Sequence, residues 1–379
     1  MAMADTRELP DSKSPHLHLV LATPEELLAQ QVANSGEWRG SLSLEAYLRR
    51  EDYLNTTEMI RDNGLTPWML VYTPPGAETR QVLCGCESIK KKALLAKAGK
   101  VEDVVAHGVA SVFCPPKYRG KGYAARMMSE VGKRLETWQV VEGNRSAFSV
   151  LFSDIGKRFY ASHDWQPFPS AHIVLPPTPN AGHSAPGVRV LDSRELGELC
   201  AADEQLMRGR LPKLSDSGRT AVALVPDTTT LRWHHAREDF VSKELHGRDI
   251  HSRGAVVGEQ AGARVWCLWT RVWTNPAEHA PDTLHILRLV VEDDGEDAAT
   301  VQAIASLFRA AQAEAHASGM AEMQLWNPSD TAIRAARMLD PDVDVVHREE
   351  ESIASLRWYG NGSWEGVDWV CNENRGSKT

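Results

Sequence analysis

The stretch VVAHGVASVFCPPKYRGKGYAARMM, residues 104–128, limits the architecture of this chain more than any other. An apolar run of strand type, 104–113, enters a loop in which the residues from Lys117 to Arg126 include four basic residues, two glycines and no acid. Beyond the loop, Ala124, Met127, Met128, Val131, Leu135 and Trp138 recur at i, i+3, i+4 and i+7, the stripe of an amphipathic helix. A strand that passes through a glycine turn into a helix calls for an α/β fold. The helix start offers main-chain N–H groups that have no helical acceptor, together with the positive end of the helix dipole. Gly120 and Gly122 let a ligand come close to the backbone, and Lys117, Arg119 and Lys121 add charge. The unit therefore reads as a phosphate or pyrophosphate site.

The rest of the chain makes this concentration of charge unusual. The formal net charge is −9. Residues 1–180 carry 21 Lys and Arg against 20 Asp and Glu, and residues 188–379 carry 21 against 31. The acidity thus belongs to the second half, and the overall balance speaks against general nucleic-acid affinity. With 379 residues, 42% apolar and 25% charged, the chain has the size and composition of two soluble domains. No apolar run approaches the ~18 residues of a membrane span. The opening MAMADTRELPDSKSPH has no apolar signal core, so a cytoplasmic location is expected, with no membrane partner. Cys84, Cys86, Cys114, Cys200, Cys267 and Cys371 form no CxxC pair and read as small buried hydrophobes. Neither they nor His234-His235 supply metal-ligand spacing, so no metal is expected.

PPTPNAGHSAPG, 176–187, crowds Pro, Gly and small polar residues without a period and divides the chain. The expected organisation is a flexible terminus over 1–16, an anion-binding domain over 17–176, a linker over 177–187 and a second α/β domain over 188–379. In the first domain strands are expected at 17–22, 68–72, 81–88, 104–113 and 148–153, with Gly108 marking a bulge or close approach. Helices are expected from Pro24, capped by Thr23 with Glu26 three residues on, over 44–54, and from Asp154 to about Ser162. Lys90-Lys91-Lys92 reads as a solvated loop edge. The second half repeats strand, helix, strand, helix at 284–291, 298–317, 322–326 and 331–339. The acidic run Glu292 to Asp297 stands where the first half has its basic loop. A duplicated fold whose second copy has lost its anion site is one reading, and an unrelated α/β domain the other.

Three anion motifs compete for the loop. The nucleotide P-loop GxxxxGK[ST] is absent. The dinucleotide pattern GxGxxG/A is met by Gly120 to Ala125, with Glu142 about twenty residues on, but PPKYR separates the glycines from their strand. Lys117-Tyr118-Arg119-Gly120-Lys121-Gly122 resembles motif A of the GNAT superfamily of N-acetyltransferases, [QR]xxGx[GA], with Lys in the first position. FSVLFSDIGKRFYASHDW, 148–165, is similar to the next strand and helix of that fold, with Phe159-Tyr160 and Trp165 as its aromatic landmarks. His163-Asp164 replaces the usual glycine of the turn, where Asp tolerates the left-handed conformation. Together with SVLFSDIGKRFY and the C-terminal DWVCNE, 368–373, these segments resemble the fungal lysine N6-acetyltransferase family.

The resemblance implies a GNAT fold, α/β with a mixed sheet, followed by a family-specific C-terminal α/β domain, which is a degenerate GNAT-like copy if the duplicated reading holds. It implies acetyl-CoA as co-substrate and a small-molecule amine, L-lysine, as acceptor. The pantetheine would pair with the backbone near Ser111, Val112 and Phe113, with Ser153 on the other side. The pyrophosphate would sit on Lys117, Arg119, Gly120, Lys121, Gly122, Tyr123 and Ala124. Tyr160 is the expected acid for the leaving thiolate, since a phenol of pKa ~10 is protonated at neutral pH. His107 is the candidate base, with Glu87 and Asp103 as alternatives. Arg49 and Arg50 are possible partners for an acceptor carboxylate. Other acceptors, such as a polyamine or an amino sugar, and a non-catalytic acyl-CoA-binding module are the competing functions.

Overall fold

The computed structural model describes residues 9–141, 144–179, 187–215, 218–275 and 280–372. Strand β1 (Leu17–Leu21) leads into α1 (Pro24–Trp38), where the Thr23/Glu26 capping box forms as the sequence requires. Helix α2 (Leu44–Asn55) follows, then β2 (Leu65–Tyr72), β3 (Gln81–Lys97) and β4 (Lys100–Phe113). A single 3-10 turn, Pro116–Tyr118, precedes α3 (Tyr123–Leu135). Then come β5 (Ser146–Ser153), α4 (Arg158–Ala161), β6 (Gln166–Pro167) and β7 (Ala171–Leu175). The second half holds β8 (Val188–Leu191), α5 (Leu196–Ser215), β9 (Thr220–Leu224), α6 (Thr228–His246), β10 (Gly254–Val257) and β11 (Val265–Val272). It continues through β12 (Thr283–Val291), α7 (Ala298–Ala317), β13 (Glu322–Trp326) and α8 (Asp330–Arg337). It ends with β14 (Val346–His347), β15 (Ile353–Trp358) and β16 (Val367–Trp369).

These strands form two mixed sheets with one plan. In the first the order is β1-β2-β3-β4-β5-β15-β6, with β9 on the far part of β3 and β16 on β9. In the second it is β14-β7-β13-β12-β11-β10-β8. Each sheet has an antiparallel set that meets a parallel central pair, β4 with β5 and β12 with β13. A helix crosses over within each pair, α3 in one and α7 in the other. The duplicated reading of the sequence is therefore the correct one.

The sheets do not divide the chain at the 176–187 segment. β7, from the first half, pairs with β13 in the second sheet, while β15, from the second half, pairs with β5 in the first. Each half thus gives a strand to the other beside its parallel pair. β9 joins the same exchange by pairing with β3. The cores interleave too: Leu42, Ala46 and Tyr47 of the α2 region share a cluster with Trp269, Trp273 and Phe308. Of the expected linker, residues 180–186 lie outside the described residues. Residues 176–178 are held to α7 by Gln312, whose side-chain amide donates to Pro176 O at 2.8 Å.

Other sequence expectations need correction. Residues 9–16, expected to be flexible, lie against α3, with Tyr123 Oη donating to Pro10 O at 2.6 Å; residues 1–8 lie outside the described residues. Lys90-Lys91-Lys92 is strand, because β3 runs on to Lys97, paired with β4 as far as Lys100. Lys91 is buried, with Nζ 3.4 Å from Met59 Sδ. Asp154 caps no helix; it accepts from Ser352 N at 2.9 Å, and α4 is a single turn starting at Arg158.

Candidate active site

The parallel pairing of β4 with β5 runs from Val105 to Gly108 on one side and from Ser146 to Val150 on the other, and then stops. Beyond it β5 stays paired with β15 as far as Ser153, and β4 stays with β3, so the edge of β4 over 109–113 faces a V-shaped opening. The β3–β4 register shifts between Gly85 and Glu87, opposite Phe113 and Ala110, leaving Ser111 and Val112 against Cys86 alone. This is a β-bulge, and Ser111 takes φ 52° within it. The bulge therefore falls three residues later than Gly108 suggested.

The loop then turns onto α3. Gly120 and Gly122 have φ 76° and 82°, conformations that favour glycine. Gly122 is the N-cap and supplies no side chain to the helix start. The first helical bond is Arg126 N to Gly122 O at 3.0 Å, so the amides of Tyr123, Ala124 and Ala125 precede it. Met127, Met128, Val131 and Leu135 are fully buried under the sheet, each contributing on the order of 1.5–3 kcal/mol, and this fixes the direction of the helix. Lys117, Arg119 and Lys121 are exposed around the turn. Arg119 donates to Cys114 O at 2.9 Å, and Lys117 lies 4.7 Å from the Tyr118 ring centre. Tyr123 differs from its neighbours in the motif: its ring is buried, so its main-chain amide is what faces the turn. Two surface hollows, of about 220 and 690 Å³, lie elsewhere and include no residue of this loop.

Ser153 is buried, and its hydroxyl organises the turn after β5, donating to Gly156 O at 2.6 Å and accepting from Ile155 N at 3.2 Å. Tyr160 is buried in the α3-side core with Cys86, Leu151 and Trp165. Burial, then the nearby Cys86 and Asp154, raise its phenol above the ordinary range and keep it protonated. Asp164 adopts φ 71°, as the missing glycine required, and Trp165 is fully buried.

The three base candidates separate clearly. His107 is fully buried, with Nε2 3.3 Å from Gln139 Oε1 and Nδ1 3.5 Å from Ser146 Oγ. Burial lowers it to about 4, against the hydrogen bond to Gln139 Oε1. Its partners, Gln139 after α3 and Ser146 at the start of β5, lie away from the bulge. Asp103 is exposed and paired with Arg208 at 3.1 Å. Glu87 sits at the bulge itself, where Ser111 Oγ donates to its carboxylate at 2.6 Å. Part of its surface is open, yet protein surrounds the carboxylate, and burial raises it to about 7; the Ser111 bond opposes this and Glu51 adds to it.

On the same side, Tyr47 donates to Asn34 at 3.0 Å, and Arg50 pairs with Glu51 at 2.7 Å and donates to Trp38 O at 3.2 Å. Arg49 pairs with Glu45 and Glu244. Neither arginine offered by the sequence is thus free for an acceptor. Arg237 of α6, which the sequence did not single out, is the cation that joins this group: it acts on Tyr47 along with Glu51, Arg50 and Glu87. Its distance along the chain concealed it, and the period of α6 was its one sequence signal. Among the described residues no cluster of His, Cys, Asp and Glu could hold a metal ion, and no helix is long and apolar enough to cross a membrane.

Residues 172–376 match the family model described as LYC1 GNAT-like C-terminal domain. A protein named lysine acetyltransferase from Yarrowia lipolytica is 24% identical over 293 residues, 67% of this chain and 72% of the relative. A GCN5-related N-acetyltransferase from Anabaena variabilis superposes with a TM-score of 0.54 at 13% identity, covering 91% of this chain and 73% of the other. Saccharomyces cerevisiae N-myristoyltransferase, solved with bound myristoyl-CoA and inhibitors, also gives 0.54, at 9% identity over 97% of this chain and 85% of its own. Both likenesses concern the fold.

Proposed function

Since the chain belongs to the family of the LYC1 GNAT-like C-terminal domain and is an acetyl-CoA-dependent N-acetyltransferase of the GNAT type, we propose that its acceptor is the N6 amine of free L-lysine. The observation that carries the chemistry is the Glu87–Ser111 pair at the bulge, beside the open edge of β4 and on the strand that leads to the uncapped start of α3.

Acetyl-CoA, when bound, supplies an activated acetyl thioester. The residues suited to hold it are Lys117, Arg119, Gly120, Lys121 and Gly122 with the amides of Tyr123 and Ala124 for the diphosphate, and the edge of β4 at Ser111, Val112 and Phe113 for the pantetheine. A lysine ε-ammonium has a pKa of ~10.4 and must lose a proton before it attacks. Glu87, raised to about 7, is matched to that task at neutral pH and takes the base role from His107. Main-chain N–H groups at the bulge stabilise charge developing on the carbonyl oxygen. Tyr160, held protonated, returns a proton to the departing sulfur. Ser153 supports the β5 turn. A cytoplasmic setting belongs to the same proposal, in keeping with buried thiols such as Cys84, Cys86, Cys200 and Cys267.

The test follows free thiol while pure protein meets acetyl-CoA and an amine panel. Release with L-lysine well above polyamines and amino sugars is expected; release with those amines alone overturns the acceptor. The wild-type rate falls as pH drops through about 7, because protonated Glu87 cannot accept a proton. Glu87→Gln lowers kcat by roughly 100- to 10,000-fold and abolishes this acidic limb. A limb that survives Glu87→Gln but disappears in His107→Ala returns the role to His107.

A further inference from the structure

On the face of the first sheet away from α3, β3 carries Glu87, Ile89 and Lys91, opposite Ala110, Gly108 and Ala106 of β4. Cross-strand partners share a face, so β4 contributes a floor of small residues beside these three. Helix α6 lies over this region. Its period places Trp233, Arg237, Phe240 and Glu244 on one side. Trp233 packs with Met59, Ile60 and Ile89; Phe240 stacks on Tyr53 with ring centres 5.9 Å apart; Glu244 pairs with Arg49 at 2.7 Å. Arg237, between the Trp233 and Phe240 contacts, is therefore directed into the space between β3 and α2.

Arg237 has no ion pair or hydrogen bond among the described residues, although burial, with Arg50 next in effect, lowers its guanidinium to about 10. Arg50 cannot take its place, being held by Glu51 and Trp38 O. The indole Nε1 of Trp233, one turn before Arg237, is buried with no partner. Lys91 adds a second buried cation, lowered to about 8 by burial. Arg237 and the Trp233 indole N–H, donors without a partner among the described residues, call for an anion, and the planar guanidinium fork fits a carboxylate.

We propose that Arg237, with the Trp233 indole N–H beside it, binds the carboxylate of an amino-acid acceptor whose side-chain amine reaches Glu87 and Ser111. This deepens the acetyl-transfer reading and rests on it. The second half, though its own anion site is lost, then supplies the residue that selects the acceptor.

The test compares kcat/KM for L-lysine and L-lysinamide, which differ in the acceptor's carboxylate, in the full chain and in Arg237→Gln. The wild type should prefer L-lysine by about 30-fold, mainly through KM. In Arg237→Gln that ratio should collapse to about 1, and Arg237→Lys should recover part of it, with coenzyme A affinity measured by calorimetry as the control for folding. A wild type with no preference, a ratio that survives in Arg237→Gln, or equal losses on both amines overturns the proposal while leaving acetyl transfer intact. Absence of thiol release with either amine in the wild type defeats the acceptor assignment, and this inference with it.

Discussion

The two copies of the fold open their parallel pairs at the same point and then diverge. β4 parts from β5 after Gly108, and β12 parts from β13 after Ile286. Both strands bulge just beyond, at Ser111–Val112 and at Leu287. In the first copy the bulge carries Glu87 and Ser111, and the helix that follows starts on Gly122 with no side-chain cap. In the second, Leu287 and Val290 are buried against α5, and Arg288 is locked to Asp203 at 2.8 Å. The next helix, α7, is capped by Asp297, whose carboxylate accepts from Thr300 N at 2.9 Å. Glu292, at the head of the acidic run, is buried against Arg264, Gly262 N and Trp266 Nε1. One backbone plan thus leaves a helix start without a side-chain cap beside an open bulge in one copy, and a capped helix beside a filled bulge in the other.

The sharpest way to break this contrast is to unlock the filled copy. Asp203→Ala removes the buried carboxylate that pairs with Arg288, itself 3% exposed, and should cost about 3–5 kcal/mol, read from denaturant unfolding. The double change Asp203→Leu with Arg288→Met should recover most of that loss, because an apolar pair of similar size avoids the desolvation penalty. Coenzyme A affinity of the folded fraction should move less than twofold, roughly the additivity limit for distant sites. A large loss of affinity would mean that the second V shapes the first.

Next in size is the reverse conversion, which gives the open helix start its own carboxylate. Gly122→Asp imitates Asp297, and Asp tolerates a positive φ at a cost of about 1 kcal/mol. Its Cβ would meet Ser12 Oγ at 2.9 Å and Ser12 Cβ at 3.1 Å, so the hydroxyl must turn aside and the residue 12 segment must give by a few tenths of an ångström. Calorimetry should show coenzyme A binding weakened roughly 100-fold by the added charge and occupied amides, while Gly122→Asn loses about tenfold or less. Equal losses in the two variants would remove charge from the explanation.

How far the sequence disclosed these features depends on the range of the interactions that create them. The glycine turn, the Thr23/Glu26 box, α7 and the left-handed Asp164 are set by neighbours within a few positions, and each is where the residues indicate. Glu87 was legible as an acid on a strand, but its rank above His107 depends on the register that brings it to Ser111. The exchanged strands β7 and β15 were not legible, since their local pattern fits either sheet. Lys91 misled for a related reason: three consecutive lysines look solvated until α6 and Met59 cover the middle one. Arg237 lies about 150 residues from Glu87, and only the fold makes the two neighbours.

The smallest expected effect tests whether the second copy is a scaffold alone. Asp297→Ala frees the amides at the start of α7 and so restores the feature that distinguishes α3. Loss of an N-cap costs about 1 kcal/mol, a shift of a few degrees at most in the melting temperature of a chain this long. Coenzyme A stoichiometry should stay at one, because the anion site proposed for the first copy also draws on Gly120, Gly122, Lys117 and Arg119, and the second copy has Glu292, Asp293 and Asp294 there instead. A second bound coenzyme A in this variant would show that one carboxylate is all that separates scaffold from site. The normal stoichiometry, with the small loss of stability, would place the difference in the whole loop.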